Sequence, residues 1–194
     1  AHSPTEVGIH IPGGVGDIVH RRSVVAAAGE DIASHEQELF AVVLSGQVCV
    51  ALTRIIVTRN RHEALADALG ACFRAVRVGD PFDAQTQMGP LVSARHRERV
   101  LGYIEKGRAA GARLIAGGGR PAHLERGFFV EPTLFTNVDN HSTIAREEIF
   151  GPVLSIIVAD DEDAAVSIAN DTIFGLNAAI FTHDHRAALF AKGR

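Results

Sequence analysis

Apolar residues recur at helical spacing in several windows of the chain, and short apolar runs fall between them. Ser34 and Gln37 form a capping-box pair, and Leu39, Phe40, Val43 and Leu44 follow at helical spacing, so a helix is expected from residue 34 to the Ser45-Gly46 break. Arg54-Ile55-Ile56-Val57 reads as a buried strand. Asn60 with Glu63 starts a helix whose inward face carries Leu65, Leu69, Cys72, Phe73 and Val76, closed by Gly79-Asp80-Pro81. Residues 93–110 form a further helix with Val100, Leu101 and Ile104 inward, ending at Gly111. Then come a strand at Arg113-Leu114-Ile115-Ala116, a Gly117-Gly118-Gly119 turn, and extended segments at Phe128-Phe129-Val130 and over 153–158. A helix over 161–170 turns Ala164, Ala165 and Ile168 inward, a short strand covers 178–181, and Asp184 opens a last helix. Residues 1–29 show no clear periodicity, and Gly13-Gly14-Val15-Gly16 reads as a turn rather than a dinucleotide fingerprint.

Strands alternating with helices of this length predict an α/β fold, a mostly parallel sheet with helices on both faces. The organisation expected is a poorly defined segment over 1–33 and one domain over 34–194. A chain of 194 residues has room for that domain and its core, and 46% hydrophobic with 22% charged residues is an ordinary globular balance. A net charge of -4 with interspersed signs gives no electrostatic case for nucleic acid or an anionic membrane, and no apolar stretch has the length of a membrane span. The two cysteines have such different surroundings that a disulfide framework is not expected, which makes the reducing cytoplasm the default location.

Cys72 reads as core packing. Cys49 lies off any apolar stripe, just after a glycine where the backbone turns, and a thiol held at such a loop is a candidate nucleophile. The competing reading is a small residue packed under the turn. Arg146-Glu147-Glu148-Ile149-Phe150-Gly151-Pro152-Val153 places two carboxylates before an aromatic and a Gly-Pro break that leads into a strand. Such a segment binds ligands if it lies at the right end of the sheet; otherwise it is a solvated acidic turn ahead of a core Phe. His183-Asp184-His185 offers two metal-type ligands without a third, so Asp184 is read as a helix cap and no metal centre is expected. Arg95-His96-Arg97-Glu98-Arg99 reads as a solvated helix face.

Several blocks, in order, resemble the catalytic domain of the NAD(P)-dependent aldehyde dehydrogenase superfamily. They are Gly46-Gln47-Val48-Cys49, Gly79-Asp80-Pro81, the run from Thr86 to Ser93, Leu101-Gly102-Tyr103-Ile104, the run from Gly127 to Phe135, Glu147 to Val153, Asn170-Asp171-Thr172 and Phe174-Gly175-Leu176. The resemblance implies oxidation of a small-molecule aldehyde to an acid, with NAD or NADP as hydride acceptor. Cys49 would be the nucleophile, passing through a hemithioacetal and a thioester, with its own N–H as an oxyanion donor. Glu148 matches the glutamate at the nicotinamide ribose, Phe150 the aromatic beside the nicotinamide, and His96 and Arg99 the positions near the adenosine ribose.

The chain also departs from the pattern. The cofactor-binding half that precedes the cysteine block in full-length members is missing, and the chain stops at Arg194, ahead of their C-terminal segment. Ile11 stands where the resemblance places the general base, and Leu44 where an asparagine is usual. Three readings follow: a truncated aldehyde oxidoreductase, a non-catalytic remnant that forms a homo-oligomer or pairs with a full-length relative, and a residual thiol esterase at Cys49.

Overall fold

The computed structural model describes residues 23–28 and 42–182. β-branched residues dominate Leu52–Thr58 (β2) and Val153–Ala159 (β5), which pair in parallel, Arg54 opposite Ser155 through Thr58 opposite Ala159. Ser23–Ala28 (β1) lies on the other side of β2, and Asn177–Thr182 (β6) beyond it, both in parallel register. Arg113–Ala116 (β3) and Thr133–Thr136 (β4) complete a sheet of order β3-β4-β5-β2-β1-β6, in which only the β3–β4 pairing is antiparallel.

The alternation of side chains along β2 and β5 sorts the core into two layers. Ile55, Val57, Leu154 and Ile156 face His62–Ala75 (α1), whose Leu65, Ala66, Leu69 and Phe73 form its buried stripe. Ile56, Val153 and Ile157 face the other layer, built from Ala94–Ala109 (α2), Thr143–Arg146 (α3) and Glu162–Asn170 (α4). Helices therefore cover both faces, as expected of an α/β sheet. Ser93 caps α2 by accepting from the His96 N–H, and Asp161 caps α4 by accepting from Ala164. Among the described residues no helix is long and apolar enough to cross a membrane.

The structure departs from the sequence reading at several places. Ser23–Ala28, inside the 1–33 segment read as poorly defined, is a strand between two others. Its Ser-Val-Val-Ala-Ala-Ala composition has two valines but no alternation, and the three alanines are poor strand formers. Phe128-Phe129-Val130 is loop, and the strand begins later, at Thr133. Cys72 is half-buried on the flank of α1 rather than in its core stripe. Val43 and Leu44 belong to a 3-10 turn, Val43–Gly46, in which Leu44 and Ser45 have left-handed backbones. The rest of the helix expected from residue 34, the Ile11-Pro12-Gly13-Gly14 stretch and His183-Asp184-His185 lie outside the described residues.

Candidate active site

Cys49 sits at the corner of a turn closed by the Ala51 N–H donating to the Val48 carbonyl at 3.0 Å, immediately before β2. Its side chain is exposed and its thiol is free. The turn is latched from two sides. Ser45 Oγ donates to the Gly89 carbonyl at 2.8 Å, and Gln47 Oε1 accepts from the Val92 N–H at 2.9 Å. On the other side Gly46, at φ +70°, lies against Gly151, so closely that a Cβ would stand 2.2 Å from the Gly151 oxygen. Gly151 and Pro152 lead into β5. The cysteine turn and the Glu147–Pro152 loop thus abut at the amino ends of two neighbouring parallel strands.

That placement answers the question of which sheet end is involved. In open α/β sheets ligands ordinarily bind outside the carboxyl ends of the strands; here the candidate residues gather at the opposite edge. The carboxyl ends of β2 and β5 form a separate open cleft of about 620 Å³, lined by Thr58, Arg59, Asn60, Asp160 and Asp161 among others, where Arg59 pairs with Asp160 at 2.5 Å.

α2 holds the Glu147–Phe150 segment in place. His96 Nε2 lies 2.7 Å from the Phe150 carbonyl, and because a carbonyl only accepts, that nitrogen carries the proton. Arg99 donates to the Ile149 carbonyl at 2.5 Å and to the Glu148 carbonyl at 2.7 Å. Tyr103 Oη donates to Glu147 Oε2 at 2.6 Å. Burial first, and then this bond, hold the Tyr103 phenol above its ordinary pKa. The Phe150 ring meets the His96 ring edge-on at 6.2 Å. Glu148 and Phe150 are half-buried, and Ile149 is fully buried beneath them.

The structure therefore brings Cys49, Glu148, Phe150, His96 and Arg99 to one edge of the sheet. Arg99 lies on the exposed face expected of it, although it donates to two backbone carbonyls, whereas His96 is half-buried against the loop. Sequence reading missed Tyr103, Ser45 and Gln47 as contributors, and took Glu147 only as one of the two carboxylates of the 146–153 segment. The available signal was helical phase: His96, Arg99 and Tyr103 follow at intervals of three and four, so they share a face of α2.

Taken as a class, this is an α/β domain presenting a thiol at the amino edge of a parallel sheet. A sequence model of the Aldehyde dehydrogenase family matches residues 21–193, and the chain belongs to that family. A betaine aldehyde dehydrogenase of Brucella anthropi is 51% identical over 142 residues, which are 72% of this chain and 29% of the relative. Among solved structures, an aldehyde dehydrogenase of Mycobacterium tuberculosis complexed with NAD+ superposes with a TM-score of 0.83 at 43% identity, covering 89% of this chain and 36% of the other. Betaine aldehyde dehydrogenase of Staphylococcus aureus in complex with NAD+ gives a TM-score of 0.83 at 33% identity, covering 90% and 35%. The chain spans about 29% of the length of the curated relatives it matches.

Proposed function

We propose that this chain carries the thiol side of an aldehyde-oxidising site, with Cys49 as nucleophile. The observation that supports this most directly is the abutment of the Cys49 turn and the Glu148–Phe150 loop through Gly46 and Gly151. The Cys49 thiolate attacks the aldehyde carbon, and the Cys49 backbone N–H donates to the oxygen that gains charge. Glu148 and Phe150 fit the nicotinamide end of NAD or NADP: a carboxylate accepts hydrogen bonds from ribose hydroxyls, and an aromatic ring two residues on offers a flat apolar surface. Such a cofactor supplies the hydride acceptor when bound. His96 and Arg99 belong to the cofactor side of the site. The names of the relatives make betaine aldehyde the first substrate to try, and a cytoplasmic setting suits the free thiol.

The test is an NAD and NADP binding titration together with aldehyde-dependent formation of reduced cofactor. The expected result is a signal lost in Cys49→Ser; no cofactor binding and no reduced cofactor would overturn the reading for this chain. Cys49→Ala also separates oxidation from esterase chemistry, because an activated-ester burst surviving that change does not come from Cys49.

A second reading, a pairing module that forms a homo-oligomer or joins a full-length relative, draws on the exposed apolar side chains of Leu44, Val92 and Phe128 on the loops around the Cys49 turn. A chain that stays monomeric and never co-purifies with a co-expressed relative would sink it.

A further inference from the structure

Phe150 has a backbone angle of φ +60°, a region that bulky side chains rarely adopt and that persists only where the surroundings over-determine it. The surroundings here are one face of α2. Reading along the helix from His96 to Arg99 to Tyr103, the groups engaged run backwards along the loop: the Phe150 carbonyl, the Ile149 and Glu148 carbonyls, then the Glu147 carboxylate. The two segments lie side by side in opposite directions, joined by a ladder of side-chain bonds. Next to the His96 rung, Gly151 lies so close to α2 that a Cβ would stand 2.6 Å from Val100 Cγ2. From below, Ile149 is 3% exposed and anchored in the core.

The ladder is itself braced. The Arg99 guanidinium lies 5.0 Å from the centre of the Tyr103 ring, with Lys106 Nζ 4.7 Å from the same centre. Arg99 also approaches Tyr103 Oη at 3.4 Å. Each terminal nitrogen of Arg99 gives a proton to a loop carbonyl, as does Nε2 of His96, so both side chains are held against the backbone of this loop.

We propose that His96, Arg99 and Tyr103 are positioning residues that lock the backbone carrying Glu148 and Phe150, and act on the nicotinamide end of the cofactor rather than contacting the adenosine ribose. The lock gives the site its specificity for a nicotinamide: the left-handed Phe150 backbone, held by His96, sets where the aromatic surface lies. This assignment rests on the cofactor reading given above, while the lock itself is a property of the fold.

The experiment has two arms on the full chain. The first follows cleavage by a glutamate-specific protease at Glu147 and Glu148 under native conditions, with Glu125 in an exposed loop as internal reference. His96→Ala and Arg99→Met each speed cleavage at Glu147 and Glu148 on the order of tenfold, with Glu125 unchanged, and the donor-retaining His96→Gln and Arg99→Lys restore part of the protection. Unchanged cleavage in both variants would overturn the lock. The second arm compares NAD with ADP-ribose, which keeps the adenosine end and lacks the nicotinamide. In His96→Ala, the dissociation constant for NAD rises by about tenfold while that for ADP-ribose changes less than about twofold. Equal weakening of both would overturn the positioning role in favour of direct ribose contact. Should the unaltered chain bind neither probe, the cofactor reading falls and the nicotinamide role with it, whereas the lock is still decided by the cleavage rates.

Discussion

Leu44 is held in a left-handed backbone at φ +50° and is 68% exposed, two departures from what a leucine prefers. For a residue with a Cβ that conformation costs about 1 kcal/mol or more, and asparagine tolerates it far better than a branched aliphatic. Among the described residues its hydrogen bonds run through its backbone: its carbonyl accepts from Gln47 Nε2 at 3.1 Å and from the Gln47 N–H at 3.0 Å. Leu44→Asn is therefore expected to stabilise the chain by about 0.5–1.5 kcal/mol. The measurement is the urea midpoint at constant slope; a lower midpoint would contradict the strain argument. The sequence flagged Leu44 only as standing where related chains usually have asparagine. The reason for that preference, the positive φ, is a property of the turn and is invisible in the spacing of apolar residues. The exposure of Cys49 was legible for the opposite reason, since it lies off every apolar stripe around it. Buried Arg54, 0% exposed and bonded through one terminal nitrogen to Asn140 Oδ1 at 2.7 Å, was not legible, because an arginine inside an apolar run gives no sign of which face it takes.

Elements whose apolar faces repeat were read correctly: β2, α1, α2, β5, α4 and β6 all appear within a residue or two of expectation. β1 was missed because half of it is alanine, and β4 because the extended segment was placed just before it, at 128–130; β3, equally short, was read at its observed bounds. Pairing between elements also carries the acid response. Arg113 donates to Glu63 at 2.7 Å, joining β3 to α1, and Arg146 pairs with Asp171 at 3.0 Å, joining α3 to the loop before β6. The hydrogen bond from Arg113 holds the Glu63 carboxyl below its ordinary pKa, and the bond from Arg146 does the same for Asp171. A depressed native value means that each pair stabilises the fold above the unfolded carboxylate pKa, near 4, and that this stabilisation disappears as pH falls through the native value. Unfolding midpoints are thus expected to drop as pH falls below about 4, and Arg146→Met should flatten that drop while changing little of its shape at neutral pH. An unchanged acid limb in Arg146→Met would exclude Asp171 as a contributor. The abutment of two loops is more fragile. In Gly46→Ala a methyl group would meet the Gly151 oxygen at 2.2 Å, and one of the two loops must move. A loss of about 2 kcal/mol or more is expected, with altered alkylation kinetics at Cys49 but not at Cys72. Unaltered kinetics at Cys49 would mean that the turn does not depend on this contact.

At the scale of the whole molecule, the site faces the amino edge of the sheet, and that edge is where apolar side chains meet solvent. Leu44 on the cysteine turn is 68% exposed and Val92 is 78% exposed, and the two loops are joined by the bond from the Val92 N–H to Gln47. Phe128, 38% exposed, lies on the next loop, where its carbonyl accepts from the Leu91 N–H at 2.9 Å. The far edge is different in kind: Thr58, Arg59, Asn60, Arg61, Asp160 and Asp161 make it polar and charged. A sheet that is polar at one edge and apolar at the other has a direction, and apolar surface gathered around an exposed thiol suits burial against another body of protein. Leu44→Asn combined with Val92→Thr removes both side chains without touching the bonds that hold the turn. The double variant is expected to bind less of an environment-sensitive hydrophobic dye and to sediment as a smaller species at high concentration, while Cys49 alkylates at an unchanged rate. If dye binding and sedimentation match those of the unaltered chain, this edge is not an association surface.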